Sequence, residues 1–175
     1  KDISNAIHAG VSRIEHGIWA SNKTLKLASK KGIIFTPTFK AASDIINHKD
    51  CLPKYMVSHA NEIIDHAKDF IKNVKTNRVK IAMGTDAGTP FNFHGDNAKE
   101  LELLVEYGLT NAEAIQSATS TGAQLIGLPH FLGKIESGFA ADLILLDKNP
   151  LDNITAYQDN IKQVISNGRL VKIND

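Results

Sequence analysis

Helix-period stretches alternate with short β-prone runs through the first half of this chain, and that alternation limits the fold more than any other feature. Ile3, Ala6 and Ile7 recur at helical spacing, and Gly10 stops the helix predicted over residues 2–9. Residues 11–17 then read as a strand ending in Glu15, His16 and a glycine that permits close backbone approach. Ser21 or Asn22 can cap the next helix, whose apolar positions Leu25, Leu27 and Ala28 precede Lys30, Lys31 and the stop residue Gly32. Residues 33–36 form a second, buried strand closed by Pro37. Residues 40–53 read as irregular. Tyr55 to about Lys75 is a long amphipathic helix with Ile63, Ile64, Ala67, Phe70, Ile71 and Val74 on one stripe. A third strand follows at residues 81–83. Helix and strand in alternation is the sign of βα units on a parallel sheet, so the predicted class is α/β.

Residues 97–107 predict a further helix ended by Gly108, and Thr110-Asn111-Ala112-Glu113 spells a capping box for the one after it. Residues 119–126 continue as a helical segment that stops at Gly127. The composition changes from Leu132. Gly133, Gly138, Pro150 and Gly168 punctuate β-prone runs at 142–147, 162–166 and 170–173, with no helix-period pattern between them. The predicted organisation is thus βα units with their following helices over residues 1–131 and a small β module over 132–175.

The third strand carries the chemistry. Residues 80–90 run a short apolar strand into Asp86, and Gly84, Gly88 and Pro90 force a bend that leaves this carboxylate at the strand's carboxyl end. In an α/β protein ligands and reactions sit at that end. The competing reading is an Asx-turn residue that caps the loop. His16 ends the first strand of the same expected sheet, so an imidazole and a carboxylate arise at equivalent ends. Together they suit zinc, iron or manganese, with zinc the commonest. Two ligands are fewer than the three of an ordinary catalytic zinc. His94, eight residues after Asp86, suits gripping a substrate or supporting the site from behind, with a plain surface histidine as the alternative.

Other polar residues offer less. His59, Glu62 and His66 share a face of the long helix but lack the i, i+4 histidine pair of helical zinc sites, and the solvated side of an amphipathic helix explains them. Glu15 is expected to brace a neighbour. His8, His48 and His130 are isolated, and Cys51 has no activating neighbour in sequence.

Composition removes several function classes. The net charge is +1 with Lys and Arg dispersed, which favours neither nucleic acid nor a membrane surface. No apolar run approaches the roughly 18 residues that span a bilayer. One cysteine among 175 residues cannot form an internal disulfide and fits a reducing, cytoplasmic setting. The chain opens at Lys1, without Met or a signal-like segment, and is expected to be a piece of something longer.

Ile14-Glu15-His16-Gly17, then Gly84-Thr85-Asp86-Ala87-Gly88-Thr89 and then Asn97-Ala98-Lys99-Glu100-Leu101-Glu102-Leu103 resemble the metal-dependent amidohydrolase superfamily, nearest to its imidazolonepropionase-like and Xaa-Pro dipeptidase-like branch. The tail is similar too: Leu132-Gly133-Lys134-Ile135-Glu136-Ser137-Gly138, Ala141-Asp142-Leu143 and Asn149-Pro150-Leu151 match that family's return into a small β-sandwich. The resemblance implies the carboxyl-terminal part of a (β/α)₈ TIM-type barrel, with its last three strands here, followed by part of the sandwich. His16 would then be the metal-binding histidine ending the sixth strand and Asp86 the aspartate ending the eighth. The family's paired histidines, its bridging lysine and its strand-five histidine have no counterpart and would precede Lys1.

On this resemblance the full-length protein is a hydrolase that cleaves C–N bonds of amides, peptides or cyclic amides with metal-activated water. It would use one or two divalent ions, Asp86 as the catalytic proton carrier, His16 and Asp86 as metal ligands and His94 at the substrate. Its partners would be small molecules or short peptides. The alternative is a non-catalytic fragment or scaffold, whose uncovered sheet edges invite association with a second copy or with the missing half. The fragment alone is expected to be inactive.

Overall fold

The structure, a computed structural model, describes residues 2–171. Three strands, β1 (Arg13–Glu15), β2 (Ile34–Thr36) and β3 (Lys80–Ile81), form a parallel sheet in the order β1-β2-β3. Ile14 pairs with Phe35 and Phe35 with Ile81. Parallel neighbours require crossovers, and the helices supply them. α1 (Asp2–His8) leads into β1, α2 (Asn22–Lys31) links β1 to β2, and α3 (Phe39–Asn47) with α4 (Lys54–Thr76) links β2 to β3.

The strands are shorter than the sequence predicts. β1 ends before His16, whose φ of 60° turns the chain out of the extended region, although its N–H still reaches the Thr36 carbonyl at 2.8 Å. β3 keeps two residues, yet the Ala82 N–H bonds the Phe35 carbonyl at 2.9 Å and prolongs the ladder. β2 lies in the middle and is buried along its whole length, as expected for a parallel strand covered on both faces.

Local signals account for the helix ends. The Ser21 side chain accepts from the Thr24 N–H, and Gly32, at φ 69°, terminates α2 in the left-handed conformation. α4 buries Ala67, Phe70, Ile71 and Val74. Phe70 meets Phe35 with ring centroids 6.0 Å apart, and Phe39 meets Tyr107 edge to face at 4.9 Å. α5 (Ala98–Glu106) adds Leu101, Leu103 and Leu104 to this core. α6 (Asn111–Ala118) starts at Thr110 with both halves of the capping box formed, and α7 (Ser120–Leu125) follows.

The segment expected to be irregular is α3 followed by a 3₁₀ turn at Lys49–Cys51. Its start carries no local signal: Thr38 sits in the left-handed region at φ 57° and makes no side-chain cap. The cap comes from Glu100, sixty residues away in sequence, which accepts the N–H groups of Phe39 at 3.0 Å and Lys40 at 2.7 Å.

A second, antiparallel sheet holds β4 (Leu143–Leu146), β5 (Ile161–Ser166) and β6 (Arg169–Val171) in that order. Asn167 and Gly168 join the last two with φ of 49° and 75°, the mirror-image turn that Asn-Gly favours. Of the run predicted at 170–173, Lys172 and Ile173 lie outside the described residues. A helix does lie between the runs: α8 (Ala156–Asp159), held by the buried Ile154 and Ala156 beside α5. Among the described residues no helix is long and apolar enough to cross a membrane.

Candidate active site

The carboxyl ends of β1, β2 and β3 converge on one cavity of about 400 Å³. His16 and Asp86 both line it, with Thr38 between them in the fold. All three residues have left-handed backbones, at φ 60°, 56° and 57°, although none is glycine. Each such conformation costs about 1–3 kcal/mol and persists only where its surroundings enforce it. Three on one cavity wall mark the region where stability has been given up for placement.

The imidazole of His16 is held in one tautomer. Its Nδ1 lies 2.7 Å from the Thr38 Oγ1, and that hydroxyl donates its single hydrogen to the Pro37 carbonyl at 2.8 Å. Nδ1 must therefore be the donor to Thr38, which leaves Nε2 with a free lone pair. A histidine prepared in this way matches the pattern of a metal ligand steadied through its other ring nitrogen. The Asp86 carboxylate accepts no hydrogen bond among the described residues, while its backbone carbonyl receives the Thr89 hydroxyl at 3.2 Å. The donor set therefore fits a divalent cation as far as it goes. It does not go far enough alone, since no three His, Cys, Asp or Glu side chains among the described residues gather into a metal site.

Close backbone approach sets these positions. A Cβ on Gly84 would lie 2.5 Å from the Thr36 Cγ2, and one on Gly17 would lie 2.6 Å from the Phe35 ring. Beyond Asp86 the loop is built around Asn92, 1% exposed, whose amide donates to the Thr85 carbonyl at 2.6 Å and to the Thr89 hydroxyl at 3.1 Å. Its Oδ1 accepts from the Lys40 ammonium at 3.3 Å. Phe91 stacks on His48 at 4.0 Å and fastens the same loop to the end of α3.

Lys40 is 1% exposed and pairs with Asp44 at 2.5 Å and Asp96 at 3.0 Å. Burial alone would lower its pKa, but the hydrogen bonds and charges of Asp44 and Asp96 outweigh burial and raise it. Glu100 is fully buried, and desolvation pushes its carboxyl up to about 8 against the opposing pull of the Lys40 and Phe39 N–H groups and the Lys40 charge.

His16 and Asp86 thus both line this cavity. His94 is exposed on the loop and is not among the residues lining the cavity. His59 lines it, and His59 and His66 both face the Trp19 ring, at 5.7 and 6.3 Å. Glu15 pairs with Arg13 at 3.3 Å in solvent. Thr38, Lys40, Asn92 and Glu100 escape a reading of the sequence. The Pro37-Thr38 step closing a buried strand was the available signal for the first, and the others act only through tertiary contacts.

The profile of the amidohydrolase family matches residues 1–171. The chain is 31% identical to the ochratoxinase of Aspergillus niger over 97% of its own length and 36% of the relative's. Among solved structures, a Xaa-Pro dipeptidase with bound methionine in the active site superposes with a TM-score of 0.87 at 35% identity, covering 97% of this chain and 42% of the other. A prolidase complexed with N-methylphosphonate-L-proline gives 0.89 at 28% identity, covering 98% and 43%. The chain therefore spans well under half the length of the proteins it matches.

Proposed function

Since the chain belongs to the amidohydrolase family, we propose that the protein containing it is a metal-dependent hydrolase of C–N bonds in amides, peptides or cyclic amides. The observation that carries this is the placement of His16 and Asp86 on one cavity at the same ends of parallel strands. In this reading β1 to β3 are the last three strands of a (β/α)₈ barrel, and β4 to β6 belong to its accompanying β-sandwich.

His16 would hold the cation through Nε2, with Thr38 keeping the ring oriented, and Asp86 would offer a second ligand. The remaining ligands, and whether one ion or two are held, belong to parts of the protein outside this chain. When bound, a divalent cation such as zinc supplies Lewis acidity, polarising a carbonyl and acidifying water. The Asp86 carboxylate accepts no hydrogen bond among the described residues, so it would take the proton of the attacking water and return it to the departing nitrogen. Positioned proton transfer of this kind is worth about 10²–10⁴-fold. His94 lies on the loop that carries Asp86, so it would meet only a part of the substrate that projects out of the cavity. Substrates would be small molecules or short peptides, in keeping with the dipeptidase, prolidase and ochratoxinase relatives.

The test is Asp86→Asn in the full-length enzyme. Turnover should vanish while metal is at least partly retained, and near-wild-type activity would remove Asp86 from the mechanism. His16→Ala should lower the metal content itself.

A second reading has an observation of its own. Ile135, Ile144, Leu145, Leu151 and Leu170 are all at least half exposed along the second sheet and its approaches, which favours association with another copy or with the rest of the protein. Light scattering with metal analysis separates the two. A metal-loaded monomer with amidase activity supports the enzyme, and an apo oligomer supports the scaffold.

A further inference from the structure

The cavity that carries His16 and Asp86 is far larger than a metal site, and most of its wall has no role in holding metal. Behind the two polar residues, α3 contributes Ala41, Ala42 and Ile45, α4 contributes Met56, Ala60 and Ile63, and the loop after β1 contributes Ile18 and Trp19. Among the described residues, His16, Tyr55, His59 and Asp86 are the titratable side chains that line it, and the rest of this wall is apolar apart from Thr38 and Thr89. Trp19 is 51% exposed and Tyr55 is 74% exposed at this wall. The Trp19 ring lies nearly parallel to His59, at 25° with centroids 5.7 Å apart, so flat aromatic groups form one side of the recess.

We propose that this recess binds an uncharged aromatic or bulky apolar side chain of the substrate, beside the bond held between His16 and Asp86. The inference rests on the hydrolase reading and narrows it to a substrate class. Three features carry it. The recess adjoins the reacting residues, so whatever fills it is fixed relative to the scissile bond. Small residues, Ala41, Ala42 and Ala60, keep it open where larger ones would close it. Aromatic faces and the polarisable Met56 suit a ring better than a polar group. A volume of about 400 Å³ lies within the range of small-molecule sites.

The test uses the metal-loaded full-length protein and paired dipeptides in which Phe, Gly or Glu occupies one side of the scissile bond or the other. On one side, kcat/KM should favour Phe over Gly by about 10²-fold, as apolar pockets do when several methylene-sized increments are gained, with Glu poorest. Ala41→Leu, which fills the recess from a partly exposed position, should lower kcat/KM for the Phe substrate by about tenfold or more and leave the Gly substrate within about twofold. Trp19→Phe, at an exposed position of the same wall, isolates a second readout. N-acetylphenylalaninamide should change the Trp19 fluorescence, read as the difference between the parent protein and its Trp19→Phe variant, and Ala41→Leu should abolish that change. Hydrolysis without a Phe preference, or an Ala41→Leu variant that slows both substrates alike, overturns the recess and leaves the hydrolase reading standing. A fluorescence response without cleavage of any amide keeps the recess and overturns the hydrolase reading. No response and no preference overturn the proposal.

Discussion

The Oε2 of Glu100 lies 2.7 Å from the backbone nitrogen of Lys40, so a carboxylate on α5 caps a helix that begins sixty residues earlier in the chain. This bond joins α3, which starts just after Thr38, to the helix that follows the Asp86 loop. Glu100 is wholly buried and its pKa stands at about 8, above the ordinary 4.5. The folded state therefore holds this proton more tightly than the unfolded chain. Between pH about 4.5 and about 8 the folded protein binds more protons, so stability falls as pH rises through that window and levels off above it. Denaturant titrations at pH 5.5 and 8.5 should show that decline, and Glu100→Gln should flatten it. The same substitution should cost about 1–3 kcal/mol at the lower pH, because its amide NH₂ faces a backbone donor.

In the proposed site Thr38 would act on a metal through His16, whose Nδ1 it holds at 2.7 Å. Thr38→Val keeps the branched shape and removes the hydroxyl that receives Nδ1, so the ring loses both its tautomer and its orientation. Metal affinity should fall about 10–100-fold, read as metal retained after dialysis against graded chelator. Thr38→Ser should restore most of it. A Val variant with wild-type metal content would show that His16 needs no such support.

Lys40 ties α3 to the Asp86 loop by charge. Lys40→Met leaves Asp44, whose side chain is 14% exposed, without its cation, whereas Asp96 is 58% exposed and stays solvated. Breaking a buried pair costs about 3–5 kcal/mol, so the melting temperature should drop sharply, and the loop at residues 85–97 should become the first site of proteolysis. Combining Lys40→Met with Asp44→Leu removes both charges and should recover much of the loss.

The parts of this molecule legible in the sequence are those whose cause is local. Helix α2 is written by Ser21, Lys30, Lys31 and Gly32, and α6 by its capping box, because each cap and its partner lie within four residues. The parallel order of β1 to β3 follows from alternation, since parallel strands demand crossovers. α3 was hidden for the opposite reason: its cap is Glu100, and no window of sequence contains both partners. The site divides in the same way. His16 and Asp86 stand out because chemistry at strand ends is a rule of the fold, while Thr38, Asn92 and the apolar wall of Trp19 and Met56 become visible only once β2, α4 and the loop are packed together. α8 leaves no periodic pattern because four residues are too few for one, and it is anchored by the buried Ile154 and Ala156.

Gly84 offers the most direct test of how Asp86 is placed. Its φ is not left-handed, so an alanine there meets no backbone penalty and the cost is one of space. That space is occupied: the new Cβ would stand 2.5 Å from the Thr36 Cγ2, a methyl on a buried central strand that has little room to turn. Overpacking of this kind costs about 1–3 kcal/mol, and the strain falls two residues before the carboxylate. Gly84→Ala should therefore lower both the melting temperature and kcat, the latter because Asp86 is pushed from the cavity wall. Thr36→Ser deletes the offending methyl. If the steric account is right, the double variant should recover most of both losses, with a coupling of about 1–3 kcal/mol in a double-mutant cycle. Additive losses would mean that Gly84 is required for some reason other than contact with β2.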